Sequence, residues 1–82
     1  MTVKDYAEIG SNLECGFTTK QPAAFARRYG TSTDSNLRTL AAFALFKCSA
    51  TSHRLAGRID EAMVYESYCE TEYNKLPTEA RW

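Results

Sequence analysis

Four side chains in this sequence have the chemistry of nucleophiles or soft-metal ligands: Cys15, Cys48, Cys69 and the single histidine, His53. A thiol beside an imidazole is a nucleophile pair, because the imidazole can take the thiol proton and leave a reactive thiolate. Cys48 precedes His53 by five residues, so a helix through both would put them roughly side by side. No obvious third group orients the imidazole, and no glycine-rich oxyanion loop accompanies it. An exposed lone histidine is the simpler reading. The same four residues could supply thiolate and imidazole to zinc, but none has the tight paired spacing of structural zinc sites. An odd, widely spaced set of cysteines is also no disulfide framework. The thiols read as small apolar side chains for a core. Glycine-rich phosphate loops are absent. Glu66 and Glu70, one helical turn apart, read as a solvated face rather than an acid–base dyad. The sequence therefore predicts a protein that is not an enzyme, with no cofactor and no metal.

What remains is binding chemistry. Tyr65, Tyr68, Tyr73 and Trp82 cluster near the end of the chain, interleaved with Glu66 and Glu70. Tyrosine and tryptophan are favoured at protein interfaces, where one end of the ring is apolar and the other wet. Tyr65 and Tyr68 are three apart and share one side of a helix. These six residues are the candidate protein-binding face; completing the core of a small bundle is the competing role for the rings. The chain carries no formal net charge, yet residues 1–58 hold eight Lys/Arg against four acids, and residues 59–82 hold six acids against two bases. Such asymmetry suits a basic binding surface, or two halves that complement each other within the fold or in a homodimer. On the basic side, Arg27, Arg28 and Arg38 are the candidate nucleic-acid contacts.

The elements that must position these residues are helical. Thr2 and Asp5 form a capping-box pattern, and Val3, Tyr6, Ile9 and Leu13 recur at helical spacing, predicting a helix over 2–14. Gly16 is its stop signal, while Gly10 weakens its interior by about 1 kcal/mol. Pro22 suits the first turn of a second helix over 21–29, with Phe25 and Tyr29 on one face and Gly30 at its end. A polar loop with several N-cap candidates follows. Helix 35–52 carries Leu37, Leu40, Ala41, Ala44, Leu45 and Cys48 on one face, widened by Phe43 and Phe46, and is the expected centre of the core. Helix 58–76 is striped by Ile59, Ala62, Tyr65, Cys69 and Leu76, and Pro77 ends it. Gly57 favours a hairpin between the last two over one kinked helix. Trp82 either docks or frays. No segment alternates as a strand would. The expectation is a single all-α domain over 1–82, a compact three- or four-helix bundle. Eighty-two residues leave no room for a second core. No apolar run approaches the roughly 20 residues of a membrane span. The charged N-terminus does not read as a signal peptide, so a cytoplasmic protein is expected.

Three resemblances bear on function. Residues 21–32, Gln-Pro-Ala-Ala-Phe-Ala-Arg-Arg-Tyr-Gly-Thr-Ser, resemble the first half of a helix-turn-helix. The second half departs, because Leu37 and Leu40 each fall one residue late, and residues 37–46 carry only Arg38 as a charge where a groove-reading helix needs polar side chains. This degenerate motif over 21–40 would imply a small DNA-binding protein. Residues 55–66, Leu-Ala-Gly-Arg-Ile-Asp-Glu-Ala-Met-Val-Tyr-Glu, resemble the turn of a tetratricopeptide-like or microtubule-interacting-and-trafficking-like hairpin spanning 46–77. Gly57, Glu61 and Ala62 match, Phe46 and Ala50 fall near the large and small positions, and Pro77, Ser49 and Glu66 depart. It implies an αα-hairpin. The ending Leu-Pro-Thr-Glu-Ala-Arg-Trp resembles those of small phage-encoded helical proteins, which would imply a modulator or inhibitor that binds a host protein. The function expected is a protein-binding module, with DNA binding as the alternative.

Overall fold

A computed structural model describes residues 2–15 and 20–82. The expected stop at Gly16 and the thiol of Cys15 lie outside the described residues. Helix α1 spans Val3–Cys15, α2 Lys20–Tyr29, α3 Ser35–Leu55 and α4 Ile59–Lys75, followed by a single 3-10 turn at Thr78–Ala80. The protein is all-α, a four-helix bundle among the described residues. Among the described residues, no helix is long and apolar enough to cross a membrane.

The Thr2 amide donates to the Asp5 carboxylate at 2.7 Å, so the side chain three positions on reaches back to the helix start, as in a capping box. Tyr6 and Leu13 are buried and Ile9 packs against both core clusters, but Val3, at the open end of α1, is exposed. Pro22 sits fully buried in the first turn of α2, where a missing N–H leaves no hydrogen bond unmade. Phe25 and Tyr29 meet with ring centroids 4.7 Å apart.

Of the loop candidates, Asp34 is the N-cap of α3. Its Oδ1 accepts from the amides of Asn36 and Leu37 at 2.9 and 3.3 Å, and its Oδ2 accepts from the Tyr6 hydroxyl, tying α1 to the start of α3. α3 is the core helix and buries Leu40, Ala41, Phe43, Ala44 and Ala50. Leu45, expected on the buried face, is exposed: the stripe through 40, 43, 44, 47 and 50 turns it outward. α3 runs three residues beyond the expected end and closes in a Schellman motif. The Gly57 amide donates to the Arg54 carbonyl and the Arg58 amide to the His53 carbonyl, at 3.1 and 2.8 Å. Gly57 has φ +79°, the left-handed conformation that this motif places on glycine. The last two helices therefore form a hairpin, and α3 packs more extensively against α4 than any other helix pair does.

α4 buries Ala62 and Cys69, with Leu76 buried just beyond its end. After Pro77 the chain turns back onto α1. Ala80 is buried, and Trp82 packs against both core clusters. The indole meets Phe43 and Tyr73 in near-perpendicular contacts with centroids 5.1 and 4.8 Å away. Its Nε1 donates to Glu14, and its carbonyl accepts from the Tyr73 hydroxyl at 2.7 Å. Gly10 lies under this ring: an ideal Cβ there would be 2.0 Å from Trp82 Cζ3. The glycine that weakens α1 locally is the gap into which the tryptophan fits.

Candidate functional site

A helix turns by about 100° per residue, so Tyr65 and Tyr68 project from one flank of α4 while Glu66, Glu70 and Tyr73 project from the other. Ala62 and Cys69 lie between the flanks and are buried against the bundle. The six predicted protein-binding residues are thus divided between two surfaces.

On the tyrosine flank, four rings from two helices form a continuous row. Tyr68 lies 5.2 Å from Phe46 and 5.8 Å from Tyr65, and Phe46 lies 6.4 Å from Tyr65. The Tyr65 ring stacks on His53 at 5.3 Å with an interplanar angle of 8°. Phe46 and His53 are seven apart, one side of α3, which is the spacing that could have placed them together from the sequence. Tyr68 is 46% exposed, and Phe46, His53 and Tyr65 are half-buried. His53 Nδ1 accepts from Arg58 Nε at 2.8 Å. The neutral ring then carries its hydrogen on Nε2. Aromatic pairs of this geometry contribute about 0.5–1.5 kcal/mol each beyond their burial. Rings already held by their neighbours lose little rotamer freedom when a partner docks on them.

The opposite flank borders a cleft of about 400 Å³. Its floor is Phe43, Cys69, Tyr73 and Trp82, and Glu14, Lys47, Glu66 and Glu70 complete its lining. Glu66 is held by the Arg54 guanidinium through two bonds, Nη2 at 2.6 Å and Nε at 3.2 Å. Tyr73 and Trp82, read from the sequence as interface rings, line this cleft and also have a structural role. They hold the end of the chain to α1 and α3, and Arg81 fixes the turn by donating to the carbonyls of Leu76 and Asn74.

Two of the three thiols, those of Cys48 and Cys69, are described. Burial pushes the Cys69 thiol up to about 11, and its Sγ lies 3.7 Å from the Phe43 carbonyl oxygen, so it stays protonated and weakly nucleophilic near neutrality. Cys48 is half-buried, and His53, five residues on, is engaged with Arg58 and Tyr65. No cluster of three His, Cys, Asp or Glu side chains positioned to hold a metal occurs among the described residues.

Arg27 and Arg28 are exposed on the last turn of α2, with the Arg28 guanidinium 5.4 Å from the Tyr29 ring centre. Arg38 is exposed on α3, and its Nη1 donates to the Ser32 carbonyl at 2.6 Å. The helix that a helix-turn-helix would place in a groove is α3, whose residues Leu40, Ala41, Phe43 and Ala44 are buried in the bundle. Compared with protein-family models, curated proteins and solved structures, the chain matches none of them.

Proposed function

We propose that this chain is a non-enzymatic protein-binding module, and that the tyrosine flank of the α3–α4 hairpin is its contact surface. The observation that carries the reading is the ordered row Tyr68–Phe46–Tyr65–His53, exposed at its Tyr68 end. Such a surface offers a partner large apolar area and hydroxyl and N–H groups at its edge, with little ordering left to do. Exposed Val64 lies one helical turn before Tyr68 and extends the apolar surface along α4. The finer reading is a phage-type modulator or inhibitor acting on a host protein. It rests on the resemblance of the chain's ending.

The test is affinity capture from a lysate of the source or host cells, with and without nuclease, comparing the wild type with Tyr68→Ala. Tyr68 is the appropriate probe because its side chain is exposed and its loss leaves the core intact. Tyr73→Ala would disturb the Trp82 anchor and report on folding instead. A protein captured in near-stoichiometric amount by the wild type, resistant to nuclease and lost with Tyr68→Ala, supports the reading. Undiminished capture by Tyr68→Ala would overturn the surface assignment. Recovery of nucleic acid, with proteins released by nuclease, would favour binding through Arg27, Arg28 and Arg38.

A further inference from the structure

The cleft on the other flank of α4 is independent of the tyrosine row and has a chemistry of its own. Its floor is aromatic and apolar, and its charged lining is predominantly acidic: three glutamates against Lys47. Arg54 already neutralises Glu66. One oxygen of Glu14 accepts the Trp82 N–H. Among the described residues no ion pair joins Lys47 to these glutamates, and none engages Glu70. Arg81 is not part of the cleft lining: its guanidinium donates to the carbonyls of Asn74 and Leu76 and lies 5.7 Å from the centre of the Tyr73 ring. With Lys47 set against one of the remaining two carboxylates, the cleft keeps about one uncompensated negative charge above an apolar floor. Its volume of about 400 Å³ is ample for one long side chain.

We infer that this cleft takes a lysine side chain presented by a partner protein. The four-carbon stem of lysine would lie along Phe43, Tyr73 and Trp82 while its ammonium meets Glu70 and the other oxygen of Glu14, the division of apolar stem and charged head that such side chains make at protein surfaces. Trp82 adds the attraction of an aromatic ring for a cation. Glu70 is exposed on α4, so its replacement leaves the core alone.

The test uses n-butylammonium chloride as the lysine-like probe, titrated at constant ionic strength, with butan-1-ol as the neutral molecule of the same stem. The readout is the emission of Trp82, the only tryptophan in the chain. The expected result is a saturable change in emission, with the alcohol needing about fivefold higher concentration or more. Glu70→Gln should weaken the ammonium titration about threefold or more, and Lys47→Gln should tighten it, since Lys47 lines the cleft. Tyr68→Ala, on the other flank, should leave it unchanged. An emission change that does not saturate, an equal response to the alcohol, or indifference to Glu70→Gln would each overturn the inference. None of those outcomes bears on capture through the tyrosine row.

Discussion

Replacing Gly10 with alanine should destabilise this protein, although the same change in an open helix interior is favourable by about 1 kcal/mol. The difference is Trp82. A Cβ on residue 10 would lie 2.0, 2.2 and 2.6 Å from Cζ3, Cε3 and Cη2 of the indole. The ring cannot move aside without loosening its contacts with Phe43 and Tyr73 and the bond from its Nε1 to Glu14. Overpacking costs about 1–3 kcal/mol, and overlap this deep belongs at the upper end. Full expulsion of the ring would approach the about 3–5 kcal/mol of a tryptophan truncation. Less the propensity gain, Gly10→Ala should lower stability by about 2 kcal/mol. In a Trp82→Ala background the clash is gone, and the same substitution should raise stability by about 1 kcal/mol. The predicted interaction energy is thus about 3 kcal/mol, with a reversal of sign. Urea unfolding followed by far-ultraviolet circular dichroism measures all four proteins, including those without tryptophan. Stabilisation of the wild type by Gly10→Ala would refute the placement of Trp82 over α1.

Gly57→Ala should cost about 1 kcal/mol from backbone strain alone, since φ is +79° and no side chain lies within 4 Å of the added methyl; an unchanged urea midpoint would contradict the Schellman turn. The Asp34 carboxyl is held below its usual range, first by the Tyr6 hydroxyl and then by the amides of Leu37 and Asn36, against an opposing cost of desolvation. Its contribution is present above the unfolded carboxylate value of about 4 and is lost as pH falls through the lower folded value. Asp34→Asn, which retains a capping side chain, should flatten the acid side of the stability profile. An identical acid slope would exclude the linkage. Cys69 should resist a thiol reagent at mildly alkaline pH in the native protein and react on unfolding, as read by peptide mass spectrometry. Rapid native labelling would mean that its burial is wrong.

The parts of the fold readable from sequence were those set by local spacing. The four helices, the boundaries at Pro22, Gly30, Gly57 and Pro77 and the core role of α3 follow from stripes and caps within single segments. Contacts that depend on distant partners were not readable. Tyr6 and Asp34 are 28 residues apart, and nothing local distinguishes Asp34 from the other capping candidates of that loop. Gly10 counts only against its helix until Trp82, bonded to Glu14 across 68 residues, is seen to fill the space. The candidate site was half readable for the same reason. Helical spacing pairs Tyr65 with Tyr68 and Phe46 with His53, but only the hairpin brings the two pairs together. Tyr73 and Trp82 are interface-type residues by composition, and the route of the chain after Pro77 turns them into an anchor.

The binding account stands on Tyr68. Once a partner is captured, its affinity for the wild type and for Tyr68→Ala, measured by titration calorimetry on folded proteins, tests it most directly. A central aromatic contact predicts a loss of about tenfold or more, equivalent to about 1.4 kcal/mol. Equal affinity for the two proteins would contradict the account and remove the tyrosine flank as the contact surface.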